Sequence, residues 1–168
     1  MTDHTTIDVS TADAGEPLVR AVLDMLTAEL ALGGYSAGQT FGYSASQLED
    51  SAVHLVAARA AGGVIGVGGI ELQDGHRAEL KRFLVTPEHR GTGVADALIA
   101  SLLAHAATRG ARVVALETGD RQLAARAFYR RHGFVEVPRF APYLESTTSV
   151  CRERVVADDV LSEGRSRS

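Results

Sequence analysis

The sequence predicts a single mixed α/β (α+β) domain, in which a mostly antiparallel sheet of six or seven strands is flanked by about four helices. Three observations support this prediction. Strand patterns come first along the chain and are followed by the order strand, helix, strand, helix, strand. The 168 residues, 45% of them hydrophobic, suit one core. No repeat or linker interrupts residues 1–156, and the polar residues 157–168 are expected to form a flexible tail.

The first half of the chain combines a strand, a long helix and a meander of strands. Residues 6–10 alternate polar and apolar side chains, as a strand does. Residues 15–32 place Leu18, Val22 and Leu26 at helical spacing, and a pair of glycines follows them. A tyrosine-rich loop and a short polar segment follow at residues 35–43 and 46–51. Antiparallel strands separated by glycine turns are then predicted at residues 53–60, 64–72 and 78–85.

The second half alternates helices and strands. Val94, Leu98, Leu102 and Ala106 form a broad apolar face of a helix that ends near Gly110. A second helix is predicted at residues 122–132, where the glycine that follows suits a C-terminal cap. The remaining strands are predicted at residues 111–116, 134–137 and 149–156. The last strands are candidates for pairing two subunits into a homodimer.

Composition excludes several classes of protein. The net charge of -4 gives no general electrostatic reason to bind nucleic acid or an anionic membrane. No apolar run reaches the roughly 20 residues that a membrane span needs, and the start of the chain does not resemble an export signal. Cys151, the only cysteine, excludes an internal disulfide, so a cytoplasmic protein is expected. The six histidines have no paired ligand spacing, so no metal is expected, and His105 should lie on an exposed helix edge.

A glycine-rich turn leads from the strand at residues 78–85 into the next helix. Its sequence is Arg90-Gly91-Thr92-Gly93-Val94-Ala95, and Pro87 should end the strand before it. Gly91 and Gly93 remove side chains that would block a bulky anion, and the helix start offers unpaired N–H groups. A pyrophosphate fits such donors, with Arg90 adding a charge-assisted contact. A tight turn without a ligand would need the same glycines.

Two other phosphate-binding motifs are excluded at this turn. A P-loop requires Lys-Ser or Lys-Thr after the glycines, and the sequence has neither there. A dinucleotide-binding fingerprint requires a third small residue where Asp96 stands. The turn therefore predicts a different kind of pyrophosphate site.

At these residues the sequence resembles the GNAT superfamily of acetyl-CoA-dependent N-acetyltransferases. Residues 90–95 fit its pyrophosphate motif, which has Arg or Gln, two residues, Gly, one residue, then Gly or Ala. Residues 78–87 are similar to its fourth strand, and residues 125–134 resemble its pattern Ala-x-x-Leu-Tyr-x-x-x-Gly-Phe. The resemblance extends from about residue 53 to about residue 155, and it implies a GNAT-like fold.

The resemblance implies acetyl-CoA as co-substrate and assigns its binding residues. The backbone of Phe83, Leu84 and Val85 would pair with the pantetheine arm. The pyrophosphate would be held by Arg90, Gly91, Thr92, Gly93, Val94, Ala95 and Asp96. Many family members have Asn where this chain has Gln122, and the longer amide is expected to reach the pantetheine.

The resemblance also assigns the chemistry. Tyr129 would be the general acid that protonates the departing thiolate, although its position would equally suit a core aromatic. Two carboxylates match bases that different members use, Glu79 and Glu117, and a relay through ordered water is a third option. With no reactive cysteine in the motif region, direct attack by the amine in a ternary complex is expected.

The acceptor is expected to be the primary amine of a small molecule. Aromatic side chains fall in loops where members bind their acceptors, and they would serve either as contacts or as packed lids: Tyr35, Phe41, Tyr43 and Tyr143. Such a lidded pocket suits a small amine. Two alternatives remain open: acetylation of a protein N-terminus or lysine, and a CoA-binding sensor domain without turnover.

Overall fold

The computed structural model describes residues 6–35 and 43–156. In chain order its elements are β1 (Asp8–Thr11), α1 (Pro17–Leu32), α2 (Ala45–Glu49), β2 (His54–Ala60), β3 (Gly63–Gln73), β4 (Arg77–Val85), a 3-10 turn (Pro87–His89), α3 (Val94–Thr108), β5 (Val113–Gly119), α4 (Leu123–Arg131), β6 (Val135–Val137) and β7 (Ser149–Val155). The predicted fold class is confirmed, since the described residues form seven strands and four α-helices. The predicted tail at residues 157–168 lies outside the described residues.

All seven strands join one sheet in the order β1-β2-β3-β4-β5-β7-β6. Every neighbouring pair is antiparallel except β4 and β5, which run parallel. The parallel pair is possible because α3 crosses over between the two strands, as a parallel connection requires.

The parallel pair β4 and β5 separates after a short contact. Pairing runs only from Arg77↔Val113 to Glu79↔Ala115, although β4 continues to Val85 and β5 to Gly119. A register shift against β3 accompanies a left-handed backbone at Arg82, with φ 53°. Such a bulge bends a strand, so the two strands diverge and leave an opening between them.

Helices α1 and α3 cover opposite faces of the sheet. Alternate residues of β2 show this, because Leu55 and Ala57 pack with α1 whereas Val56 and Ala58 pack with α3. The α3 side holds most of the buried apolar residues, including Leu102, which has no exposed surface. Each such leucine contributes about 1.5–3 kcal/mol by burial. The two cores fix the strand ends that border the opening.

Several predicted elements differ from those observed. Residues 46–51 were expected as a polar segment, but α2 forms there, with Ser44 and Gln47 in a reciprocal capping box. The strand predicted at residues 111–116 begins later and runs to Gly119. The prediction of an exposed His105 was wrong: its ring is half-buried and stacks on His54, with ring centroids 3.7 Å apart. The two rings meet because β2, which carries His54, packs against α3, which carries His105.

Two further results concern the described residues only. None of their helices combines the length and the apolar character needed to cross a membrane. Their histidines, cysteine and carboxylates also form no group of three or more that could hold a metal ion.

Candidate active site

Two adjoining cavities lie in the opening between β4 and β5. The large one, of about 800 Å³, extends from the glycine turn before α3 to the start of α4. The small one, of about 110 Å³, lies between the strands and is lined by residues that include Lys81, Glu117 and Tyr129. The residues that line both cavities are Leu26, Leu30, Tyr35, Phe83, Gln122 and Tyr129. The shared wall makes the two cavities one continuous site.

The start of α3 presents backbone N–H groups to the large cavity. Gly91 and Gly93 have left-handed backbones, with φ 73° and 91°, which glycine adopts without strain. A Cβ at either position would meet no atom within 4 Å, so the space beside the turn is open. In the described chain no side chain caps this helix at Gly93. Its first-turn amides therefore remain available to an anion.

The predicted pyrophosphate residues take different positions around this turn. Gly91, Gly93, Ala95 and Asp96 line the large cavity, together with Arg90. The sequence prediction also included Thr92, whose hydroxyl donates to the carbonyl of His89, and Val94, whose side chain is buried in the core. For those two residues, the backbone N–H is the group that a ligand could use.

Arg90 and Asp96 are each paired with side chains of other elements. Arg90 donates from Nη2 to both carboxylate oxygens of Glu29 at 2.8 Å. Asp96 accepts from His132 Nε2 at 2.6 Å and from Arg131 at 3.0 Å. The His132 hydrogen bond lowers the pKa of Asp96. These pairs join α1 and α4 to the turn, so they hold the helix start in place.

The edge of β4 beyond Glu79 borders the cavities. Phe83, Leu84 and Val85 line the large cavity, and β4 contacts β3 along its other edge. In the part of the chain that the structure describes, no strand pairs with the β5-facing edge there. An extended ligand can therefore add to this edge through backbone hydrogen bonds.

Tyr129 lies where the two cavities meet. Its ring packs edge-on against Phe83, Phe128 and Phe134 with centroids 5.4–6.2 Å apart, and only 8% of the residue is exposed. Burial, and then the Glu117 carboxylate, raise the pKa of Tyr129 well above its ordinary value. The phenol is therefore protonated across the physiological range, as a proton donor must be.

Glu117 is a half-buried carboxyl that lines the small cavity. Burial raises the pKa of Glu117 to about 7, and the negative charge of Glu79 raises it as well. A hydrogen bond from Ser149 and the positive charge of Lys81 act in the opposite direction. A carboxylate that titrates near neutrality can take a proton from an ammonium group and release it again.

Glu79 is fully engaged inside the protein. It is 2% exposed, and its carboxylate accepts from Tyr143 Oη at 2.6 Å and from Gln73 Nε2 at 2.9 Å. Lys81 Nζ lies 3.2 Å from the same carboxylate. Glu79 lines neither of the two cavities. Its environment is that of a structural carboxylate, unlike that of Glu117.

The aromatic residues predicted to contact the acceptor separate into three groups. Tyr35 is buried and lines both cavities, and its hydroxyl donates to Asp120 at 3.2 Å. Tyr43 and Tyr143 line neither cavity. Tyr43 donates to Glu71 at 2.8 Å, and Tyr143 donates to Glu79. Phe41 lies outside the described residues.

Gln122 lines both cavities at the start of α4. Its side-chain oxygen accepts from the hydroxyl of Thr118 at 2.9 Å, so its N–H₂ group is the part of the amide that can donate to a ligand. Thr118 and Lys81 are site residues that the sequence reasoning missed. The alternation of side chains along β4 could have indicated Lys81, because it stands two residues from Glu79.

The chain belongs to the acetyltransferase (GNAT) family, whose model matches residues 22–134. An uncharacterized N-acetyltransferase of Mycobacterium bovis is 33% identical over 90 residues, which cover 54% of this chain and 58% of that protein. N-acetyltransferase 8 of Homo sapiens is 41% identical over 58 residues, or 34% of this chain and 26% of that protein. The chain thus spans only part of the length of these curated relatives.

Solved structures have the same fold. A provisionally named acyl-CoA N-acyltransferase from Klebsiella pneumoniae gives a TM-score of 0.76 at 28% identity, covering 90% of this chain and 98% of that one. The PaiA N-acetyltransferase of Thermoplasma acidophilum, solved with coenzyme A, gives 0.70 at 17% identity, covering 89% and 99%. That second likeness shows the fold alone.

Proposed function

We propose that this protein transfers the acetyl group of acetyl-CoA to the primary amine of a small molecule, by direct attack within a ternary complex. One observation carries the proposal. Tyr129 stands between a large cavity that contains a helix start suited to a diphosphate and a small cavity that contains Glu117. A proton donor and a proton acceptor thus lie at the junction of two binding spaces, as acyl transfer between two substrates requires.

Acetyl-CoA would occupy the large cavity. The N–H groups of residues 91–96 would hold its pyrophosphate, where the helix dipole also favours negative charge. The free edge of β4 at Phe83, Leu84 and Val85 would pair with the pantetheine, and Gln122 would donate from its amide. The bound thioester supplies the acetyl group. A backbone N–H near Leu84 or Val85 would stabilise the negative oxygen that forms during attack.

Glu117, rather than Glu79, would be the general base. Amines are largely protonated near pH 7, so the attacking nitrogen must first lose a proton. Glu117 lines the cavity that leads to Tyr129, and burial keeps the pKa of Glu117 at about 7. Glu79 lines neither cavity, and its carboxylate is surrounded by Tyr143, Gln73 and Lys81. The proton can pass to Glu117 directly or through a water.

Tyr129 would protonate the departing thiolate. The ring is held by three aromatic neighbours, so its hydroxyl keeps one position. Burial raises the pKa of Tyr129. The same buried surroundings destabilise a thiolate and so raise the pKa of the departing thiol, which brings it closer to the raised pKa of Tyr129. Transfer of the phenolic proton then releases a neutral thiol.

The size of the small cavity favours a slender acceptor. Its volume of about 110 Å³ leaves room for an aminoalkyl group, and Tyr35 covers the space from the side of α1. Tyr35 is fixed by its bond to Asp120 and by the Arg121 amide, which donates to its hydroxyl at 2.8 Å. Tyr43 and Tyr143 would shape the acceptor site indirectly, through Glu71 and Glu79.

The test is release of free CoA thiol from acetyl-CoA across a panel of small amines, peptides and proteins. We expect turnover with small primary amines, and we expect Glu117→Gln to lower kcat/KM by about 100-fold or more. Glu136→Gln is a matched control, because this glutamate on β6 is 61% exposed and lines neither cavity, and we expect wild-type activity. Turnover with peptides alone would contradict a small acceptor. Absence of turnover with every acceptor class would contradict transfer itself.

A further inference from the structure

Glu79 and Glu117 lie close together on one face of the sheet. Glu79 is directly opposite Ala115 in the parallel pair of β4 and β5, so Glu117 stands two residues further along the neighbouring strand. Side chains two residues apart point to the same face. Because the strands begin to separate after this pair, ideal strand spacing and rise give a lower bound of roughly 8 Å between the two α-carbons. Two carboxylates at this separation in a half-buried site influence each other's charge.

The Glu79 carboxylate is immobilised by three donors from different parts of the chain. Tyr143 reaches it from the loop between β6 and β7, crossing over β5, with its hydroxyl 2.6 Å from Oε1. Gln73 donates from the end of β3 at 2.9 Å, and Lys81 lies 3.2 Å away on β4 itself. These three donors hold the buried carboxylate in one orientation. Glu79 is therefore a negative charge in a fixed position.

The other groups that face Glu117 come from three elements and the β6–β7 loop. Glu79 and Lys81 belong to β4, Tyr129 to α4, and Tyr143 to that loop. Neighbouring β7 contributes Ser149 and Cys151, the latter directly opposite Glu117 in the pairing of β5 and β7. Among these groups, Glu79 and Lys81 act on Glu117 through their charges. Their effects on Glu117 have opposite signs.

We propose that Glu79 and Lys81 form a pair of opposite charges that controls when Glu117 carries a proton. This inference rests on the proposed function, in which Glu117 is the base. The negative member favours protonated Glu117, and the positive member favours ionised Glu117. The two opposing charges thus keep the proton affinity of Glu117 suited to neutral pH. Tyr143 maintains this balance by fixing the position of Glu79.

The experiment compares Glu79→Gln, Lys81→Met and the double variant. Glutamine keeps an oxygen that accepts from Tyr143, and methionine keeps the length of the lysine stem. We expect the acid limb of the kcat/KM profile to move to lower pH in Glu79→Gln and to higher pH in Lys81→Met, each by roughly 0.4–1.5 pH units. In the double variant the limb should return toward the wild-type position. Damage to the fold would not move the two limbs in opposite directions.

Gln73→Leu is the matched control, because it removes one donor to Glu79 and leaves both charges in place. Its acid limb should stay at the wild-type position. Limbs that do not move, or that move in the same direction in both charge variants, would overturn the proposal. If Glu79→Gln does not fold, the upward shift in Lys81→Met decides the question alone.

A second readout separates this inference from the proposed function. Carboxyl ¹³C NMR titration of Glu117, identified by its loss in Glu117→Gln, needs no turnover. Opposite shifts of its midpoint in the two charge variants would support the pair even if no acceptor is found. An unchanged midpoint in an active enzyme would overturn the pair and leave the transferase proposal standing.

Discussion

Replacing Gly93 by alanine tests the proposed pyrophosphate-binding site, and the chain contains a matched control at Gly110. Gly93 precedes α3 with φ 91°, and Gly110 follows the same helix with φ 89°. A Cβ at either position would meet no atom within 4 Å. Both substitutions therefore have the same backbone cost and no steric one within the protein. Of these two glycines, only Gly93 lines the large cavity.

The backbone cost follows from the left-handed conformation, which alanine adopts about 1–2 kcal/mol less favourably than a right-handed one. For a chain of this size we expect Gly93→Ala and Gly110→Ala each to lower Tm by about 2–8 °C. The two substitutions should differ in their effect on the affinity for CoA. A methyl group beside the N–H groups would displace the diphosphate, and loss of one charge-assisted hydrogen bond of about 1.5–3 kcal/mol weakens CoA binding at least tenfold.

The assay combines thermal unfolding with calorimetric titration of CoA for both variants and the wild type. Similar decreases in Tm in both variants, with weakened CoA binding in Gly93→Ala alone, would support the proposed pyrophosphate-binding site. The reasoning is refuted if Gly93→Ala binds CoA as the wild type does. Equal weakening in Gly110→Ala would also refute it, since the loss would then reflect stability.

Three further predictions concern the acid, the amide and a histidine pair. Tyr129→Phe should lower kcat at least 100-fold and change the Kd for CoA less than about threefold; unchanged turnover would remove Tyr129 from the acid role. Gln122→Ala should raise the Kd for CoA about threefold to tenfold in calorimetry, by loss of a pantetheine contact. Burial lowers the pKa of His54 and of His105 below the ordinary 6.5, so the folded state favours their neutral forms. Stability should be full above pH 6.5 and decrease as the pH falls below it, and chemical denaturation of the His54→Gln/His105→Gln variant should show a weaker decrease.

Local sequence features predicted the fold and the glycine turn because their causes are local. The left-handed positions at Gly91 and Gly93, and the apolar face of α3, follow from residues close together in the chain. The capping box that begins α2 was equally local, with Ser44 three residues before Gln47, but the polar composition of the segment concealed it.

The sequence could not distinguish Glu117 from Glu79 as the proposed base, because burial and distant partners set the surroundings of each carboxylate. Glu79 is engaged by Tyr143, which is 64 residues away, and Glu117 is separated from Lys81 by all of α3. Arg90 likewise binds Glu29, 61 residues away. The separation of β4 from β5, which creates the cavities, depends on a bulge at Arg82 that residue types do not specify.

The most direct test of the central claim is a ¹⁵N–¹H NMR titration of the assigned backbone amides with CoA. We predict that the largest shifts occur at Gly91, Gly93, Ala95 and Asp96, together with the edge of β4, because these N–H groups would bind the diphosphate and the pantetheine. Binding of CoA with these amides unmoved and the largest shifts elsewhere, or no binding, would contradict the account.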